Sequence, residues 1–502
     1  MNLNPTYDIG QPALRDLWVD PVHGQDTNSG ATRGEALRTL DAAWARIPEL
    51  PTAADHGWQL LLCAGRFDIG ERPHIDLTNR RADPEHPIIF RSADAGAPAE
   101  LPAIRVNDCR AVYFIDLTIA TPGRRGLPHG HNYVLWISDC EDMLVRRLRG
   151  VGLDHGQGWP RIVIKANQTR HLYIEDCDLS CAEENTIDYV AVQYGHIVRN
   201  RLHNTRCENL YVKGGSAYHL IAGNEVSGSA NHGIMAGQCT GFQFMVNPWL
   251  HYEAYDIKVV NNLISDAGGG LAVTGGFNIL MAYNTCVRVG SSRDTIVVGQ
   301  GGRGWTPEAL GSRGPLLAAH IRAGGWCNPA AGVQFNIPCR NVTIANNLIF
   351  NPDGYESRFA HCGISGPVAT TPESHIPSPA RCDDGLILRG NLIWNGGPDK
   401  PVLDDVEDMY HLAARPDFSV PTLLENNWIN TCRPELIDPE HGDFRPRAGG
   451  SVYGCPAVAL ADFTWAGAPT TPPVPPGSLD NQVPVDRLGR PRTAGGAIGA
   501  FA

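Results

Sequence analysis

Groups able to move protons or hold charge are densest between Asp154 and Glu253. The most informative stretch there is ENLYVKGGSAYHLIAGNEVSGSANHGIMAGQ, in which Lys213 is followed by Gly214 and Gly215. Flanking glycines leave an ammonium reachable. A lysine whose pKa is lowered by a neighbouring cation can take the proton alpha to a uronate carboxylate. Paired with Glu208 or Glu225 on a solvated face, the same lysine would be structural. His232 opens the next apolar run and can act as acid or base near neutral pH, or as an ordinary hydrogen-bonded turn residue. Asp188 and Tyr189 open the preceding run, where a tyrosine can protonate a leaving glycosidic oxygen. Asp188, Glu183, Glu184 and Glu208 supply enough carboxylates for a Ca2+ site, with Asp188, Glu184 and Glu208 as the metal ligands. Alternatively, Asp188 and Glu208 are the acid pair of a hydrolase. Lys165 precedes Lys213 by about two repeats and can line the same face. Arg161 and Arg199 can neutralise a substrate carboxylate, and His155 and Trp159 can hold the sugar.

What must position these groups is a repeat. The pattern Asn, any residue, apolar residue closes a short apolar run at Asn200, Asn224, Asn262, Asn284, Asn347, Asn391 and Asn427. Asn200 to Asn224 is 24 residues and Asn262 to Asn284 is 22, the length of one rung of a right-handed parallel β-helix. One rung before Asn200 stands Cys177, which fits the frame without the asparagine. Asparagine tolerates left-handed backbone, and its amide can bond to the asparagine of the next rung as a ladder. The longer gaps imply insertions near 239–255, 289–341 and 352–384, which a solenoid projects as loops, often on its binding face. Trp305 and Trp326 lie in the largest of them, with Arg293, Arg303 and Arg322. They suit sugar stacking and carboxylate pairing, or ordinary packing of a loop.

The chain has 502 residues, 55 of them glycine, with 19% charged and a formal net charge of −12. An acidic balance argues against nucleic-acid binding, though a local basic groove can still take an anionic substrate. No apolar stretch approaches the ~20 residues that span a bilayer. Several of the 14 cysteines fall in the repeated apolar runs and read as small buried hydrophobes. Cys327 with Cys339, and Cys362 with Cys382, are candidate disulfides. The first residues show no signal peptide, so the protein is cytoplasmic, or secreted or periplasmic with its leader removed. Oligomeric state is left open.

The opening LWVDPVHGQDTNSG, followed by a short helix near Thr39–Arg46, resembles the N-terminal cap of secreted bacterial right-handed β-helix proteins. So does the ending, with GDFRPRAGGS and a final IGAF, and so does the VKGGS rung. Many such proteins are polysaccharide lyases or glycoside hydrolases. The resemblance implies an all-β, pectate-lyase-like right-handed parallel β-helix with an N-terminal cap helix and long loop insertions. Residues 1–60 form the N-terminal strand and cap helix, 61–430 the rungs, and 431–502 the C-terminal cap. It implies a carbohydrate-active enzyme, foremost a lyase cleaving a uronate-containing polysaccharide by β-elimination, with Ca2+ as a candidate cofactor. Lys213 would be the base and His232 or Tyr189 the proton donor. The alternatives are a hydrolase using Asp188 and Glu208, or a non-catalytic glycan-binding β-helix. The ordered motifs of polygalacturonases, mannuronan epimerases and common pectate lyases are not found.

Overall fold

In the computed structural model the described residues are 3–49, 55–70, 72–123, 132–328, 332–355, 357, 360–395, 419–470, 473–474 and 479–502. The chain is a right-handed parallel β-helix: short strands pair in parallel with their counterparts one turn away. It divides into two compact units. One holds Pro5–Asp188 with Val192–Arg206, and the other holds Met1–Asn4, Tyr189–Ala191 and Cys207–Ala502. No helix among the described residues is long and apolar enough to cross a membrane.

In the first of these units the register stacks Leu17, Leu60, Phe90, Phe114, Val145, Ile174 and Ile197 in a single buried file. Phe90 and Phe114 stack at 5.1 Å between centroids. Like residues stand over like residues, because each rung offers its side chain at the same place on the pleat. The expected cap helix spans Leu40–Arg46, with Thr39 Oγ1 accepting the Ala42 N–H at 3.1 Å. Asp26, in the GQDTNSG loop, accepts the N–H groups of Arg38 and Thr39, both at 2.9 Å. Leu40, Ala43 and Trp44 are buried beneath the helix. The first residues of this unit run across its strands. Tyr7 donates its N–H to buried Glu175 at 2.6 Å, and Arg146 donates to the Tyr7 carbonyl at 2.6 Å. Glu175 also accepts from Arg146 Nε at 2.7 Å and pairs with His196 Nε2 at 2.6 Å.

In the other unit Ile221, Val259, Met281, Ile344 and Leu388 form one inward file, and Leu210, Ile234, Leu271, Ile296 and Cys362 another. The asparagine ladder runs down its corner. Asn224, Asn262, Asn284, Asn347 and Asn391 each donate backbone N–H and Nδ2 to the Oδ1 of the next asparagine, at 2.9–3.1 Å. Their geometry differs from expectation in one respect. The left-handed residue is the one before the ladder asparagine: Gly223, Asn261, Tyr283, Asn346 and Gly390 have φ of 56–67°. The preceding residue makes the corner, which frees the asparagine to bridge rungs. Cys177 keeps the same frame in its unit, donating its N–H to Asn200 Oδ1 at 2.9 Å.

The first two insertions build one structure. Cys239–Gly241, Gly301–Trp305 and Gly332–Ile337 form a three-stranded sheet. Phe242, Met245, Leu250, Leu317 and Cys327 pack beside it with Trp305. All 14 cysteines are free thiols, so neither expected disulfide is present. Cys339 instead lies against Cys382, in hydrogen-bond contact. The IGAF ending packs Ile498, Ala500 and Phe501 into a cluster with Leu348, Phe350 and Leu392.

Two expectations follow. Asn284→Ala strands buried partners on both neighbouring rungs, including Asn262 Nδ2 and the Val259 carbonyl. Urea unfolding should show a loss of about 2–4 kcal/mol. Burial alone would raise the Glu175 pKa, but the bonds from His196, the Tyr7 N–H and Arg146 hold it below its ordinary 4.5. Its contribution to stability is therefore full above about pH 4.5 and lost as pH falls through the depressed value. Glu175→Gln should flatten the acid limb of a stability–pH profile.

Candidate functional site

The strand Leu210–Lys213 pairs Leu210 with Ile234, Tyr211 with Met235 and Val212 with Ala236. Leu210 and Val212 face the interior, so alternation puts Tyr211 and Lys213 on the outer face. Lys213 is partly exposed. Its Nζ donates to Gln238 Oε1 at 2.6 Å and lies 4.4 Å from the centroid of the Tyr211 ring. An amide oxygen and a ring face are both partners that an ammonium chooses. The expected pairing with Glu208 or Glu225 is not made by hydrogen bond. Glu225 is bonded to Arg487 at 2.7 Å.

The backbone beyond Lys213 is pinned. Gly214 and Gly215 have φ of +66° and +81°, and a Cβ on Gly215 would come within 2.3 Å of the Trp249 carbonyl oxygen. The Gly214 N–H donates to Glu253 Oε2 at 3.0 Å, and Thr240 Oγ1 donates to the same oxygen at 2.6 Å. Glu253 Oε1 takes Arg303 Nε at 3.0 Å and Nη2 at 2.6 Å. The remaining Arg303 donors reach the carbonyls of Leu250, His251 and Trp326. Arg303 and Glu253 are both fully buried. Arg303, which the sequence leaves open between carboxylate pairing and ordinary loop packing, is the anchor of the lysine loop.

Glu208 is buried, and burial raises its pKa despite the opposing pull of Lys213, Arg293 and a hydrogen bond from Asn231. The carboxyl is thus close enough to feel both cations. Arg293 is exposed, with Nη1 on the Ser292 carbonyl at 3.0 Å. His232 is 3% exposed and neither ring nitrogen has a hydrogen-bond partner. Burial, and then Arg293, push its pKa down to about 3. It is a neutral ring near pH 7, so the expected role as an imidazolium donor has no charged form to draw on. Tyr189 is fully buried, with its ring edge against His219 at 5.3 Å. That leaves no path for a sugar oxygen to reach the phenol.

Of the other expected residues, Lys165, Asp188, Arg161, Glu184, Arg199, Trp159 and His155 sit in the unit that begins at Pro5, and Trp305 and Trp326 in the other. Asp188 accepts from Lys165 Nζ at 2.5 Å, and both are buried. Arg161 Nε donates to Glu184 Oε1 at 2.9 Å. Arg199 holds Asp176 at 2.7 and 3.0 Å and the Pro5 carbonyl at 2.8 Å. Trp159 lies under the Arg206 guanidinium at 5.2 Å, and its backbone N–H donates to Glu183 Oε1 at 3.0 Å. His155 is exposed in the neighbouring loop. Trp326 is 3% exposed and packed on His251 and Tyr252, while Trp305 gives its indole N–H to the Asn328 carbonyl. As metal ligands, Asp188 and Glu184 are already neutralised by Lys165 and Arg161, and Glu208 faces two cations. This donor set does not fit Ca2+. A group of three possible ligands, Glu141, Asp142 and His171, does occur among the described residues, but Arg110 bonds Asp142 at 2.8 Å.

Glu253 and Arg303 were not singled out as site residues, since nothing periodic links them to Lys213. The pairs of Lys165 with Asp188, Arg161 with Glu184 and Arg199 with Asp176 did carry a signal. Each joins opposite charges 23 residues apart, one rung.

No protein-family model matches the chain, and no curated protein does. Among solved structures, the chain is similar to the pectate lyase Pel9A, with a TM-score of 0.45 and 12% identity over 92% of this chain and 96% of that one. It is also similar to a rhamnogalacturonan lyase (0.43, 11%, 75% and 87%). A third is the A-module of the Azotobacter vinelandii mannuronan C-5 epimerase AlgE4 (0.39, 12%, 68% and 90%). Similarity at this level concerns architecture and says nothing of chemistry.

Arg303→Met would leave the Glu253 carboxylate buried without its cation. The expected cost is about 3–5 kcal/mol in a denaturant titration, and pairing it with Glu253→Gln should recover much of it.

Proposed function

We propose that the chain is a carbohydrate-active enzyme that cleaves a uronate-containing polysaccharide by β-elimination at Lys213 and Glu208. One observation carries the reading: a buried carboxyl with raised proton affinity lies near a reachable ammonium and an exposed guanidinium. The roles differ from those the sequence suggests. Glu208, made a stronger base by burial, takes the proton alpha to the uronate carboxylate. The electron pair forms the carbon–carbon double bond, the bond to the glycosidic oxygen breaks, and the Lys213 ammonium protonates that oxygen. Arg293 pairs with the substrate carboxylate and stabilises the charge that develops on it. The hydrolase alternative is weakened, because Asp188 is held in a buried pair with Lys165.

The test is ultraviolet absorbance of unsaturated product, with a reducing-end assay, on polygalacturonate, alginate and other uronate polymers. Absorbance should rise with wild-type protein. Glu208→Gln and Lys213→Ala should each lower the rate by about 10²–10⁴-fold. Activity should climb with pH through a value above the ordinary carboxylate range, because the working form of Glu208 is the ionised one. New reducing ends without absorbance would mean hydrolysis. Silence on every polymer would leave a binding protein.

A further inference from the structure

On one face of the sheet built by the insertions, the middle strand carries only glycines. Its middle strand, Gly301–Trp305, runs parallel to Cys239–Gly241 and antiparallel to Gly332–Ile337. The register aligns Cys239 with Gly302 and Phe335, and Gly241 with Gly304 and Val333. Alternation places Arg303 and Trp305 on the face that packs, where they reach Glu253 and the Phe242 cluster. Gly302 and Gly304 fall on the other face. A Cβ on Gly302 would meet Cys239 Cβ and Sγ at 2.8 Å and the Phe335 ring at 3.0 Å. The Phe335 ring therefore lies back over the glycine, toward Cys239, where any larger residue would push it away.

Despite that contact, Phe335 is 62% exposed, and Val333 on the same face is 55% exposed. Side by side on one face, Phe335 and Val333 make a contiguous exposed apolar surface, the kind of feature that marks an interaction site. The surface lies beside the lysine site: Cys239 directly follows Gln238, the amide that holds Lys213, and is close enough to feel the Lys213 charge. Two strand spacings, about 10 Å, separate Phe335 from Cys239 along the sheet.

We propose that Phe335 is a stacking platform for a sugar ring of the polysaccharide whose reacting unit sits at Lys213. The C–H face of a pyranose is flat and apolar, and it suits an exposed aromatic ring that has a glycine floor behind it. The site adds affinity for long chains and does no chemistry. This inference rests on the carbohydrate reading above, and the experiment separates the two.

Mobility of wild-type protein, Phe335→Ala and Phe335→Trp is compared in native gels containing polygalacturonate or alginate, with turnover of Lys213→Ala measured alongside. Phe335→Ala should weaken retardation by about three- to tenfold, and Phe335→Trp should retain it. Because the ring is exposed, thermal unfolding should be unchanged in both. Equal retardation of Phe335→Ala and wild type, with Lys213→Ala inactive, overturns the platform and leaves the catalytic reading standing. Equal loss in the tryptophan variant also overturns it, since that would point to packing. A shift from dimer to monomer in Phe335→Ala with retardation unchanged would make the surface a self-association site. No retardation or turnover of the wild type on any uronate polymer overturns both readings.

Discussion

Stacked rungs depend on satisfying the peptide groups at each corner. Along the strands the neighbouring turn supplies every partner, but at a corner the backbone changes direction and its N–H groups lose their natural acceptors. The asparagine ladder answers this with side chains: each carboxamide takes the N–H of the rung before and passes its own Nδ2 on to the next. Insertions of very different length separate these asparagines, yet the ladder stays in register, because the constraint acts through space and not along the chain. Everything else hangs on that register, including the direction in which Lys213 leaves its strand.

The candidate site adds a second fixed point. A lysine on a strand followed by two glycines would swing freely unless something held the turn, and here the holder comes from an insertion. Arg303 contributes nothing at the surface. Its five donors are spent on Glu253 and on carbonyls, and Glu253 in turn grips the Gly214 N–H and Thr240. A buried ion pair of this kind adds little net stability. It does give the loop one geometry, and that is what an acid–base site needs.

The fold was readable from the asparagine period, and the cap helix from Thr39 and the loop before it, because those features repeat or act locally. The partly exposed position of Lys213 was readable from the two glycines that follow it. Much of the rest of the patch was not, and for identifiable reasons. Arg303 and Trp326 have the residue types of a sugar site, but the helix and strands of the insertion turned them inward. His232 and Tyr189 lie inside the strands Glu225–Gly237 and Asn185–Val190, where one residue of alternation decides between water and core. The ion pairs that remove Lys165, Asp188, Arg161 and Glu184 from the chemistry were legible in principle, since opposite charges one rung apart stack on each other. That spacing is a better guide to structural pairs than composition is to catalytic ones.

The attachment of the first residues has a consequence for biosynthesis. Tyr7 is bonded to Arg146 and Glu175, and Pro5 to Arg199. A ribosome makes residues 5–7 well before residues 146–199, so they have no docking surface until the rung containing Glu175 has been made and has closed. They must wait, solvated, through the synthesis of nearly two hundred residues. Their eventual binding then fastens three successive turns at once, so a late contact of this unit involves residues made long before its partners.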